Sequence, residues 1–137
     1  MLQESTCVSK LTSRQKKQHP PPRMVVGREG EEIAKKYVQS LGYHFYAQNV
    51  RIGRDEIDLI AFDPNDKVLA FIEVKTRKKL SVDYPPELGL TDSKREKIER
   101  SANAWVDAHD YEGSFRLDLI CVAGKKVVSH MKEIGLG

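Results

Sequence analysis

The chain predicts an α/β fold in which helices cover both faces of one sheet. Three observations carry this. Helical and strand periodicities follow one another in the order α-β-β-β-α-β-β. Pro64-Asn65-Asp66-Lys67 separates two β-rich runs, as a hairpin turn does. The two runs each have one continuous apolar face, Ile57, Leu59 and Ala61 on the first and Ala70, Ile72 and Val74 on the second. Their other face also carries apolar residues, so neither side of the sheet is left to solvent. A chain of 137 residues builds one such domain and not two.

Residues 1–23 precede the domain, which spans 24–137. They lack periodicity, are rich in Ser, Thr, Gln and Lys, and end in Pro20-Pro21-Pro22, a composition that predicts a mobile basic tail closed by a stiff polyproline stretch. The first helix is expected from Gly27 to Leu41, with Ile33, Ala34, Tyr37, Val38 and Leu41 at helical spacing and Gly42 ending it. Glu29, Glu31 and Glu32 then fall in its first turn, where negative charge suits the helix dipole. Glu31 leans toward the apolar stripe and Glu32 toward Lys36, which makes Glu31 the acid able to reach an interior site.

Strands are expected at 43–51, 56–63 and 68–75. A second helix follows at Ser93–His109, capped by Thr91 or Asp92 and carrying Ile98, Ala102, Trp105 and Val106 as its inner stripe. Trp105 on that stripe reads as core. Strands at 115–122 and 127–131 complete the order, and 132–137 is expected to fray.

The hairpin fixes a geometric expectation. With a four-residue turn, Asp63 pairs with Val68, and the same register sets Asp58 opposite Glu73. Opposed side chains share a face, with Cβ atoms about 4.5–5.5 Å apart. Two carboxylates so placed repel unless a cation sits between them, and a hard divalent cation takes such oxygens at roughly 2.0–2.6 Å. Lys75, two residues on, points the same way as Glu73. A shift of one residue would put Asp58 and Glu73 on opposite faces.

Charge is unevenly distributed. Residues 1–23 hold five basic residues and one acid, whereas the remainder holds 18 basic and 19 acidic residues, so the net +3 resides in the tail. Affinity for nucleic acid must then come from the tail or from local patches. Two patches qualify. Arg77, Lys78 and Lys79 lead out of the Glu73–Lys75 strand, where a phosphate backbone would pass. Lys94 and Lys97 stand in the first turns of the second helix, where cations are slightly unfavourable for the dipole and a phosphate contact would account for them. Cys7 and Cys121 form no disulfide framework and suit a reducing cytoplasm. The four histidines have no ligand spacing, so zinc is not expected. No apolar run approaches the roughly 20 residues of a membrane span, and no apolar leader opens the chain.

Glu73-Val74-Lys75 reads E-x-K. With Gly27-x-x-Gly30-Glu31, Asn49-x-Arg51, Glu56-Ile57-Asp58-Leu59-Ile60, Arg77, Lys94 with Ile98 and Ala102, and Arg116-Leu117-Asp118, it resembles the PD-(D/E)xK nuclease superfamily. Within that superfamily residues 24–131 resemble the YraN family of uncharacterised endonuclease-like proteins, and more distantly archaeal Holliday-junction resolvases. The resemblance implies a restriction-endonuclease-like fold, a mixed sheet flanked by helices. It implies Asp58 and Glu73 as ligands of Mg2+, which Mn2+ can replace, with Glu31 as a further ligand directly or through water. It implies Lys75 as the group that orients the attacking water and stabilises charge on the phosphate, so that Asp58, Glu73 and Lys75 form the catalytic set. The activity implied is metal-dependent hydrolysis of DNA, branched or single-stranded. Resolvase-like nucleases often act as homodimers, and no interface signature stands in this sequence. The chain departs from the family at Asp55, where glycine is usual, and in the loop at 80–90, where Tyr84-Pro85-Pro86 replaces Phe-Gly. The alternative is a nucleic-acid-binding domain that keeps the fold without catalysis, using the lysines from Lys75 to Lys79 with Lys94, Lys97 and the tail.

Overall fold

A computed structural model describes residues 22–77 and 90–135, with side chains from residue 28 onward. The tail up to residue 21, Lys78, Lys79, the Tyr84-Pro85-Pro86 loop and residues 136–137 lie outside the described residues. The elements run α1 (Pro22–Ser40), β1 (His44–Ile52), β2 (Asp55–Asp63), β3 (Val68–Arg77), α2 (Asp92–Ala108), β4 (Phe115–Ala123) and β5 (Lys126–Met131). The five strands form one sheet in the order β1-β2-β3-β4-β5. All neighbours are antiparallel except β3 and β4, which run parallel. Parallel neighbours need a crossover, and α2 lies within it. The α/β class, the element order and the mixed sheet between helices are as expected. No described helix is long and apolar enough to cross a membrane.

Each face of the sheet buries its own core. Ala34 and Val38 of α1 pack on Leu59, Ala61, Ala70, Ile72, Ile120 and Val122. Ile98, Ala102 and Trp105 of α2 pack on Ile60, Phe71, Leu117, Leu119 and Cys121. Trp105 is core as expected, edge-on to Phe71 with ring centroids 5.4 Å apart. β4 is buried along almost its whole length because it takes a helix on both sides.

The β2–β3 turn sets the register that its sequence implies. Asp63 pairs with Val68 and the ladder runs without a shift to Leu59 opposite Ile72. Asp63 closes the turn by accepting the Asn65 amide at 2.9 Å. Beyond Leu59 the strands part. There the expected alternation breaks: Ile57 does not join Leu59 and Ala61 against α1 but enters the core under α2. The neighbouring edge bends at the same level, where Asn49 adopts φ +53°, a conformation asparagine tolerates.

Most strand and helix ends shift by one or two residues, and three boundaries differ in ways that change the packing or the charge argument. The first helix starts at Pro22, not Gly27, so the last proline of the triplet opens a helix, where its missing N–H costs nothing. Glu29, Glu31 and Glu32 therefore stand well past the first turn, out of reach of the dipole argument. Leu41 lies beyond the helix and is exposed. At the other end, residues up to 135 do not fray. Ile134 is buried in the α2-side core and its N–H donates to the Leu117 carbonyl at 2.8 Å. One apolar residue among polar neighbours gave no periodic signal of that docking.

Gly30 sets the approach of α1 to β3. A Cβ there would overlap Thr76 Oγ1 and stand 2.9 Å from Thr76 Cβ. Gly30→Ala is expected to destabilise the fold by about 2 kcal/mol through overpacking, read from urea denaturation. Thr76→Ala should recover part of the loss in the double variant, because it removes the hydroxyl that the new methyl meets.

Candidate metal centre and lysine-lined cavity

Where β2 and β3 part, a side chain replaces the missing ladder bond. Asp58 Oδ2 accepts the Val74 N–H at 2.9 Å. The Asp58 carboxyl is also hydrogen-bonded to that of Glu73, its partner in the expected register. Two carboxyls in hydrogen-bond contact must share a proton. Burial, reinforced by Asp58, pushes Glu73 up to about 8. Burial likewise raises Asp58.

Asp58 has a second set of neighbours. Glu31 from α1 and Glu56 from β2 each bring a carboxylate oxygen to it, and one oxygen from each of the three lies within 4.8 Å of the others. Glu31 is pushed up to about 7, first by burial and then by Asp58 and Glu56. Asn49, with its amide turned to donate, spans the group: its nitrogen is 2.9 and 3.0 Å from the Glu31 oxygens and 3.2 Å from Glu56. Carboxylate oxygens are the donors that Mg2+ and Mn2+ prefer. The donor type and spacing fit such a cation, and the raised pKa values record first burial and then mutual repulsion, both of which a cation would offset.

Of the residues singled out in the sequence, Glu31, Asp58 and Glu73 meet at one end of the sheet. Glu31 and Glu73 flank Asp58 in two overlapping groups. Glu56 belongs to the first group and was not singled out, although its place two residues before Asp58 on one strand was the available signal. Asn49 belongs to the Asn49-x-Arg51 motif, whose spacing alone assigns it no partner.

On the α2 side, Lys75, Lys94 and Lys97 line a cavity of about 170 Å³ together with Glu73, in front of Ile98 and Leu119. Lys75 and Lys94 are in side-chain contact, and that contact, followed by burial, holds Lys75 below the usual lysine value. The cavity forms because α2 begins at this end of the sheet. Thr91 caps it by accepting the Lys94 N–H at 3.2 Å, as its type predicts. Arg77 is placed elsewhere: with Gly30, Thr76 and Lys125 it lines a separate cavity of about 370 Å³ beside α1. Lys78 and Lys79 lie outside the described residues.

Asp55, the departure from glycine, does not join the acids. Arg100 of α2 grips it with two hydrogen bonds of 3.0 Å, which holds the Asp55 carboxyl below its usual range. A second polar cluster occupies the hairpin-turn end of the sheet. Arg116 bonds Asp118 at 2.8 and 2.9 Å, Asp63 at 3.0 Å, Asp66 at 2.7 Å and the Tyr43 hydroxyl at 2.9 Å. His130 Nε2 lies 2.9 Å from Asp118. Every partner is satisfied, and the cluster ties the β2–β3 turn to β4 and β5.

The acid cluster has a measurable consequence for stability. Glu31 and Glu73 have folded-state values above the ordinary 4.5. Between about pH 5 and 8 the folded chain therefore holds protons that the unfolded chain has released, and stability falls as pH rises. Without divalent cation the loss attributable to Glu73 is expected to be about 2 kcal/mol, or several degrees in Tm. Glu73→Gln should flatten that part of the profile, measured by thermal unfolding in chelator at pH 5 and pH 8.

Comparison with known proteins agrees in extent with the folded domain. The family model described as "Uncharacterised protein family UPF0102" matches residues 30–122. A UPF0102 protein of Cytophaga hutchinsonii is 34% identical over 110 residues, 80% of this chain and 95% of that one. One from Chlorobaculum tepidum is 42% identical over 98 residues, covering 71% and 74%. One from an Arthrobacter species is 36% identical over 117 residues, covering 81% and 96%.

Proposed function

The chain belongs to the UPF0102 (YraN) family of uncharacterised proteins, and from that premise we propose that it is a metal-dependent nuclease hydrolysing phosphodiester bonds of branched or single-stranded DNA. The reading rests on one arrangement. Asp58 is shared between Glu73 and the Glu31–Glu56 group, and Lys75 stands two residues from Glu73 on the same strand. Similarity to the PD-(D/E)xK nucleases supports the same roles.

Asp58, Glu31, Glu56 and Glu73 would hold Mg2+ or Mn2+. The cation would lower the pKa of a bound water and polarise a phosphoryl oxygen. Lys75 faces the same space from the cavity side, where an ammonium stabilises charge gathering on the phosphoryl oxygens. As a hydrogen-bond donor it would also orient the attacking water. Ile98 and Leu119 give that space an apolar wall, which strengthens each electrostatic contact. Asn49 holds Glu31 and Glu56 in place and takes no part in the chemistry.

The test is hydrolysis of junction, single-stranded and duplex DNA by the purified chain in Mg2+, Mn2+ or chelator. Cleavage of at least one substrate that needs the cation supports the reading. Binding that persists with no cleavage in either cation would favour the non-catalytic alternative, for which the lysines of the cavity suffice.

A further inference from the structure

We propose that the cavity between β3 and α2 is a subsite for the terminal phosphate of a DNA strand, held by Lys94 and Lys97 beside Lys75. The inference rests on the nuclease reading above and names which part of the substrate the site grips. Three lysines line this cavity, two of them, Lys75 and Lys94, in side-chain contact. Among the described residues none of the three has a carboxylate at salt-bridge distance, and Lys94 and Lys97 are exposed at the mouth of the β3–α2 cavity, open to an incoming anion. Glu73, the one acid in the lining, is hydrogen-bonded to Asp58 on its other side. Like charges in contact, as at Lys75 and Lys94, are unfavourable until an anion lies between them.

The shape of the cavity selects the kind of anion. Its volume of about 170 Å³ equals that of roughly five or six waters, enough for a phosphate group and too small for a duplex. Its apolar lining is Leu90, Ile98 and Leu119, the last two buried members of the α2-side core. Of the parts of a DNA strand, a terminal phosphate fits that volume and lining with least distortion of the chain. A phosphomonoester carries a charge of about −1.5 to −2 near neutral pH, against a single charge for an internal diester, which matches three lysines better. Seated there, the end lies directly beside Glu73 and Asp58, so the cut falls close to it.

The experiment measures binding in chelator, where nothing is hydrolysed, by anisotropy of internally labelled single strands. The strands carry a 5′-phosphate, a 3′-phosphate or hydroxyls at both ends, and a circle of the same sequence has no end. One phosphorylated end is expected to bind about tenfold tighter than the hydroxyl-ended strand, the scale of a charge-assisted contact. Which arm responds identifies the end. Lys94→Ala and Lys97→Ala should each erase most of that preference, with circular dichroism confirming the fold. Lys126→Ala, at an exposed lysine in the β4–β5 hairpin, should leave the preference intact. Equal affinity for all strands and the circle would overturn the subsite even if Mg2+-dependent hydrolysis is found. A terminal-phosphate preference without hydrolysis in either cation would keep the subsite and remove the nuclease. Absence of binding to any strand overturns the subsite, and hydrolysis in Mg2+ or Mn2+ then decides the nuclease reading by itself.

Discussion

Asp58→Asn and Lys75→Met are each expected to lower cation-dependent DNA cleavage by roughly a thousandfold or more, about 4 kcal/mol of transition-state stabilisation. The two should fail differently. Asp58→Asn removes the carboxylate charge common to both acid groups, so Mn2+ binding by calorimetry should go with activity. Lys75→Met leaves every carboxylate in place, so Mn2+ should still bind while cleavage is lost. Stability supplies a further discriminator. An asparagine oxygen can still accept the Val74 N–H, and the substitution removes the Asp58 charge that adds to burial in raising Glu31 and Glu73. The metal-free Asp58→Asn protein should therefore melt above the wild type, as expected of a site strained for function. A cluster with only a structural role would lose stability instead. Wild-type cleavage rates in both variants would sink the assignment.

Arg116→Met is expected to have the largest effect on folding. Arg116 is buried, and so are Asp63 and Asp118, which it holds. Removing the guanidinium leaves two carboxylates in the interior without their cation, at a cost of about 3–5 kcal/mol. That is a large share of the stability of an ordinary domain. Arg116→Lys should recover little, because one ammonium cannot reproduce a fork that reaches Asp63, Asp66, Asp118 and Tyr43 at once. Combining Arg116→Met with Asp63→Asn and Asp118→Asn should recover more, since it removes the orphaned charges. Urea denaturation at neutral pH measures all three. The pH dependence of this cluster has the opposite sign to that of the acid cluster. Asp63 and Asp118 are held below their ordinary range by hydrogen bonds from their partners, against the effect of burial. Their contribution is present above about pH 4 and is lost as pH falls through their folded values.

What could be read in advance depended on how local each feature is. The Asp63-to-Lys67 segment contains its own turn chemistry, so the register that brings Asp58 to Glu73 followed from the turn. The two faces of β2 and β3 were legible because strand alternation needs no knowledge of the rest of the fold. Alternation also misled at Ile57, where the strand leaves its partner and the period of two no longer applies. Arg116 and Asp118 were noticed as a motif, but their partners Asp63, Asp66, Tyr43 and His130 come from separate segments that only the folded sheet assembles. The Asp55–Arg100 bridge and the docking of Ile134 were hidden for the same reason. The start of α1 was misplaced because proline signals both a helix start and an extended stretch.

The parallel pairing of β3 with β4 has a consequence in time as well as in space. The β2–β3 hairpin closes over a turn of a few residues, whereas pairing Leu69 with Phe115 must wait for the whole crossover through α2. Short loops close first and long-range pairings are slow. A folding chain is therefore expected to bring Asp58 against Glu73 early and to receive Lys94 and Lys97 only when α2 docks. Repulsion between the two carboxylates then opposes the earliest hairpin, and divalent cation or mild acid should speed refolding by stabilising it before the lysines arrive.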